Sequence, residues 1–162
     1  MNEVRADAFR LSGKSEIVMI SCVDFIPAYN ELFKYLHKIG GKQEVIKFWE
    51  YLSDNFMGTL GSLADRKGLA GCFEYWSHTL SEEAADAVME VDEEEGFFKI
   101  DMRHCPSMGR LIREEHITPY EFYCEHCDTL YRRVLEPLGF SYEIDLSECD
   151  KAKCRILVRR SR

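Results

Sequence analysis

Four cysteines in the last third of this chain have the residue type and the spacing to do chemistry. Cys124 and Cys127 are separated by two residues, and Cys149 and Cys154 form a second close pair after twenty-one intervening residues. Thiolates grouped in this way can reach a common centre, which is the logic of a zinc site. The second pair, with four residues between its members, is wider than a usual knuckle. Zinc takes four thiolates in a tetrahedron, or three with a histidine, a carboxylate or a water. His126, between the first two cysteines, and the His104-Cys105 step are candidates for the remaining place. Zinc is the expected cofactor. An iron–sulfur cluster is the weaker alternative, because the spacing matches neither common ferredoxin run.

Cys105 carries a second kind of chemistry, that of a nucleophilic thiol. His104 beside it cannot act as its base by adjacency, since consecutive strand residues point to opposite faces. A base for Cys105 would have to come from elsewhere, with His126 and His116 as candidates, while His104 itself reads as a ligand, a general base or a polar strand end. Cys22 and Cys72, isolated in apolar helical settings, read as small buried side chains. His78, just after Trp76, reads as a cap or surface residue.

These residues must be held by secondary structure, and the pattern of apolar residues supplies it. From about Asp24 to His78 they recur at helical spacing: Phe33, Leu36 and Ile39, then Val45, Phe48, Trp49 and Leu52, then Leu69, Phe73 and Trp76. Three helices are expected, divided at Gly40-Gly41 and again somewhere in the Gly58–Gly68 stretch. From Ala84 the pattern changes to alternation, and Val88 to Val91 and Phe97 to Met102 flank the acidic turn Asp92-Glu93-Glu94-Glu95-Gly96 as a β-hairpin. That acidic run lacks the alternating oxygen ligands of a calcium loop. Pro106 ends the second strand, and Ser107 is expected to cap a short helix over Met108 to Glu115. Thr118-Pro119-Tyr120-Glu121 reads as the opening of a further helix running to about Leu138 and closed by Gly139. A second hairpin follows, through Phe140, Tyr142, Ile144 and then Ile156 and Val158, with Cys149 and Cys154 in its loop. The expectation is a single α+β domain over 1–162, helical in 1–83 and cysteine-rich α+β in 84–162. An antiparallel sheet of about four strands would carry helices on one side.

The run FFKIDMRHCP, then YCEHCD, a helix, and finally ECDKAKCRI resembles the C-terminal half of the L-2-amino-thiazoline-4-carboxylic acid hydrolase family. By position, Cys105, Cys124 and Cys154 fit that family's cysteines, and Asp128 or Cys127 stands in the region of its acid. Ala152-Lys153 replaces the glycine-aspartate step usual there, and Arg155 stands where an acidic residue often follows. A more distant similarity is to the vinyl-reductase-type ligand-sensing domain, which implies zinc held by Cys127, Cys149 and Cys154 with Cys124 or Glu148 as the fourth ligand. The first resemblance implies hydrolysis of a small heterocyclic or amide-like substrate, with Cys105 or a metal-activated water attacking and His104 or Asp128 moving the proton. A substrate carboxylate would need a cation, with Arg103, Arg110 or Arg113 in reach. The second implies a sensor whose pocket is lined by Phe48, Trp49, Phe56, Phe73, Tyr75 and Trp76.

Composition bounds the partners. A formal charge of -8 and a pI near 5.2 argue against non-specific nucleic-acid binding, which needs a surplus of cations. The 46% hydrophobic content is enough for one core without disulfides. No secretory pattern opens the chain, and the most apolar run, Ile17 to Tyr29, is too short to span a bilayer. A cytoplasmic protein with reduced thiols is the expectation, free of membrane and nucleic acid, binding a small-molecule ligand or substrate, with a homodimer left open.

Overall fold

The computed structural model describes residues 9–11 and 20–161, with side chains from Phe25 onward. Five α-helices and a five-stranded antiparallel sheet make an α+β fold. Helix α1 runs Ile20–Phe56, α2 Gly58–Lys67 and α3 Leu69–Glu82; strand β2 (Asp86–Asp92) and β3 (Phe97–His104) form the first hairpin. Helix α4 (Pro106–Arg113) and helix α5 (Glu125–Leu135) then precede the second hairpin, β4 (Phe140–Asp145) and β5 (Cys154–Arg160). The four expected strands are joined by a three-residue edge strand, β1 (Phe9–Leu11), in the order β1-β2-β3-β5-β4.

The helical half divides where glycine allows it. Gly41, at φ 71, is non-helical inside α1 and splits it into two arms, and Gly68, at φ 63, separates α2 from α3. Both sit in the left-handed region that a side chain disfavours. Alternation in the strands sends Met89, Phe98, Ile100, Tyr142 and Val158 to one face, where all are fully buried under α2, α3 and α5. The opposite face carries Lys99, Glu143, Arg155 and Arg159, all exposed. A second cluster, of Phe33, Val45, Trp49, Leu111, Tyr120 and Tyr123, lies between the two arms of α1, α4 and the segment before α5. Among the described residues no helix is long and apolar enough to cross a membrane.

Two boundaries depart from expectation. Residue 118 does not open a helix; α5 starts at Glu125, and 118–120 has no regular secondary structure. The backbone there is held by Asn30 on α1, whose Nδ2 donates to the Thr118 carbonyl at 3.1 Å and whose Oδ1 accepts from the Tyr120 N–H at 2.7 Å. Asn30 is 0% exposed. A distant side chain thus supplies what a local cap would have supplied, and the chain stays out of the helix until Glu125. Helix α4 begins two residues earlier than expected, with Pro106 in its first turn and Cys105 in place of Ser107 as the flanking residue.

Candidate metal centre

Three segments converge beneath the helices. The first is the β3–α4 junction with Cys105, the second the start of α5 with Cys124, His126 and Cys127, and the third the β4–β5 loop with Cys149 and Cys154. All five thiols and the imidazole line one cavity of about 130 Å³. Trp76, Leu80, Tyr131, Ile144 and Ile156 form much of the rest of its wall.

Local geometry explains each position. The Cys105 N–H donates to the Ala152 carbonyl at 2.7 Å, which ties the end of β3 to the loop holding Cys149. That loop closes as a single 3-10 turn over Cys149–Lys151, with Ala152 at φ 56 as its left-handed exit. Cys154 opens β5 opposite Met102 of β3. On the helix side, Cys124 flanks α5 and Cys127 lies in its first turn.

The histidine is oriented. Nδ1 of His126 makes a short hydrogen bond to the Tyr123 carbonyl, so Nδ1 carries the proton and Nε2 presents its lone pair. Nε2 stands 3.5 Å from the Cys127 sulfur. Two ligands of one tetrahedral zinc, bound at about 2.0 Å through nitrogen and about 2.3 Å through sulfur, lie roughly 3.5 Å apart. A backbone carbonyl on the other ring nitrogen is also the usual support of a ligating histidine.

Burial sets the protonation. It lifts the Cys127 thiol to about 12, with the Glu83 and Asp128 carboxylates adding to the effect. Cys105 rises to about 11 through burial, against the pull of the Met108 and Ser107 N–H groups at the start of α4. Cys124 and Cys154 rise too, by burial first and then by the neighbouring thiols. Burial lowers His126. Without a cation, Cys105, Cys124, Cys127 and Cys154 are therefore neutral thiols beside a neutral imidazole. A metal ion would reverse that balance, because it binds the deprotonated forms. Among the described residues, no three or more of these donors are already drawn together tightly enough to hold an ion.

Other expected residues lie elsewhere. His104 is exposed and rests against Gly109, whose lack of a side chain makes room for the ring. Asp128 is bound by Arg132 at 2.6 Å and is not among the residues that line the cavity. His116 is on the surface near Glu114, and Arg110 pairs with Glu114 at 2.9 Å. The catalytic trio Cys105, His104 and Asp128 is not brought together. Of the expected aromatic pocket, Trp76 lines the cavity, Phe48 and Trp49 belong to the second cluster, and Phe56 is 76% exposed. Cys72 is fully buried in the main core; Cys22 lies outside the residues whose side chains are described.

No family model, curated protein or solved structure matches the chain. Glu83 was not signalled by the sequence. It ends α3, far from any cysteine motif, yet it is the one carboxylate in the lining. The residue as a whole is exposed, so it is partial desolvation by the atoms around the cavity that raises its carboxyl, against the opposing influence of His126.

Proposed function

We propose that the protein binds one zinc ion in this cavity and acts as a small-molecule hydrolase on a heterocyclic or amide-like substrate. The observation that carries the reading is the convergence of five thiols and an oriented imidazole, from three separate segments, on one small cavity. Cys124, Cys127, Cys149 and Cys154 would hold the ion, with His126 in place of one of them. Soft thiolates and imidazole are the donor set zinc favours. Bound there, zinc would polarise a substrate atom and ease the deprotonation of water.

The chain's own residues would do the rest. Cys105 flanks the N-terminus of α4, where the Met108 and Ser107 backbone groups oppose the rise of its thiol and so favour negative charge on it. Glu83 is the candidate for proton transfer at the cavity, the role first expected of Asp128 or His104. A cavity of about 130 Å³ suits a substrate of few atoms. The order of the cysteine motifs, which resembles the amino-thiazoline carboxylate hydrolases, supports the same class.

A second reading is a ligand-binding sensor with a purely structural zinc. It is favoured by the apolar wall of Trp76, Leu80, Ile144 and Ile156 and by the dispersal of His104 and Asp128. Metal analysis by mass spectrometry on protein purified without added metal comes first, followed by hydrolysis of 2-amino-thiazoline-4-carboxylate by the wild type and Cys105→Ala. About one zinc per chain with turnover that falls in the variant supports the hydrolase. One zinc with binding but no turnover supports the sensor. No metal under any loading condition removes both.

A further inference from the structure

The outer face of the sheet carries a groove of about 370 Å³ at the end where β3 stops and β5 begins. Asp101, Arg155 and Asp145 stand in one row across β3, β5 and β4. Strand parity puts that row on the face opposite buried Ile100 and Ile156. Beyond it, Arg103 on β3 and Lys153 just before β5 line the same groove, next along their chains from the Met102–Cys154 pair. Ser147 and Glu148 of the β4–β5 loop complete the lining. Met102, Lys153 and Cys154 are also walls of the thiol cavity, so the groove and that cavity lie back to back across the sheet.

The acids of this groove are already engaged, and two of its cations are not. Asp101 faces Arg155 at 3.6 Å, Glu148 pairs with Lys151 at 3.1 Å, and Asp145 accepts the Ser147 N–H at 2.9 Å. Among the described residues, neither Arg103 nor Lys153 forms an ion pair, and both are exposed. Like charges on neighbouring strand positions repel. The chain has 29 acidic residues against 21 basic ones, so carboxylate partners are in surplus, yet none is placed on these two. A pair of unpaired cations sharing one groove is an arrangement that an anion between them would relieve.

We propose that this groove binds a small oxyanion, a carboxylate or a phosphate group, between Arg103 and Lys153. The Arg103 guanidinium supplies a planar fork for two oxygens, and the Lys153 ammonium a compact charge beside it. Asp101, Asp145 and Glu148 around the pair limit what can enter, because they repel a second anionic group. A single oxyanion on an otherwise neutral or cationic small molecule fits, whereas a polyanion such as nucleic acid does not. The site owes nothing to the metal reading and stands whether or not zinc fills the cavity behind it.

The test follows the backbone amide signals of the full chain by NMR at low salt, as inorganic phosphate or acetate is added to the millimolar range. Expected are saturable shifts centred on 101–103 and 153–155 with at least one of the two anions. Affinity should fall about 10-fold in Arg103→Gln and in Lys153→Gln. Lys38→Gln, which removes an exposed cation from α1, should bind as wild type does. Stronger binding of phosphate identifies a phosphate ester as the ligand class, and stronger binding of acetate a carboxylate. Shifts spread over the whole surface, or an equal loss in Lys38→Gln, would reduce the effect to general charge attraction and overturn the site. Absence of saturable shifts with both anions would overturn it too. So would an anion-free Lys153→Gln that melts below wild type, because the lysine would then serve the fold, whereas relief of repulsion predicts equal or higher melting.

Discussion

Replacing Asn30 with alanine should destabilise the protein by about 1–3 kcal/mol, because the Tyr120 N–H is left buried and unpaired while the carbonyl of the exposed Thr118 can turn to water. The carboxamide is 0% exposed and joins α1 to the segment before α5 through the Thr118 carbonyl and the Tyr120 N–H. Tyr120 itself is 5% exposed, so water does not readily replace the lost partner. Against a typical total of about 5–15 kcal/mol, the loss is a large fraction of the stability. Urea unfolding measures it as a lower midpoint at constant slope. Asn30→Asp separates the two bonds: it keeps an acceptor for Tyr120 but sets an oxygen against the Thr118 carbonyl. A buried aspartate has its pKa raised, so its carboxyl form is tolerated at low pH and stability falls as pH rises through the folded-state value. The same segment delivers Cys124, so Asn30→Ala should also weaken zinc binding in the fraction that remains folded. A loss below about 1 kcal/mol in urea would refute the claim that Asn30 replaces the missing helix cap.

Gly71→Ala should cost about 1–3 kcal/mol or more through overpacking, because a Cβ there overlaps the Leu63 carbonyl of α2. Gly58→Ala, with nothing within 4 Å of the added carbon, should be neutral or slightly stabilising by thermal melting. Cys72 is held at about 12 by burial and by the charge of Glu93. Its contribution is complete below the unfolded thiol value and is lost as pH rises toward 12. Above about pH 9 the stability of wild type should fall more steeply than that of Cys72→Ala, by about 1.4 kcal/mol per pH unit; parallel slopes would contradict the assignment. Cys149→Ala should release zinc and lower the melting temperature together, while leaving the metal-free protein almost unchanged, as followed by calorimetry with and without chelator.

Local patterns in this chain predicted local structure well. Alternation around Val88 and Phe98 located the first hairpin within a few residues of Asp86–Asp92 and Phe97–His104. Gly41 and Gly68 broke the helices because both require positive φ. The failures share a cause in long-range contact. Thr118-Pro119 has the local chemistry of a helix start, but Asn30, distant in sequence, satisfies the backbone of Thr118 and Tyr120 in a non-helical form. The edge strand β1 is three residues long, too short for alternation to be read.

The site divides along the same line. Spacing in sequence grouped Cys124 with Cys127 and Cys149 with Cys154, and the fold places all four around one cavity. Spacing could not say that Cys105 joins them, because that depends on the bond from its N–H to Ala152 across two strands. Strand parity did separate His104 from Cys105, and Gly109 gives the displaced ring its seat on the other side. Glu83 carries no motif. It arrives from the end of α3 and matters only through what surrounds it. The donors of a metal site are constrained by reach, which leaves a trace in sequence. Residues that serve beside them are constrained only by packing, which does not. If zinc does occupy the cavity, the two kinds should separate by measurement: a change at Cys127 should abolish metal uptake, and Glu83→Gln should leave it unchanged.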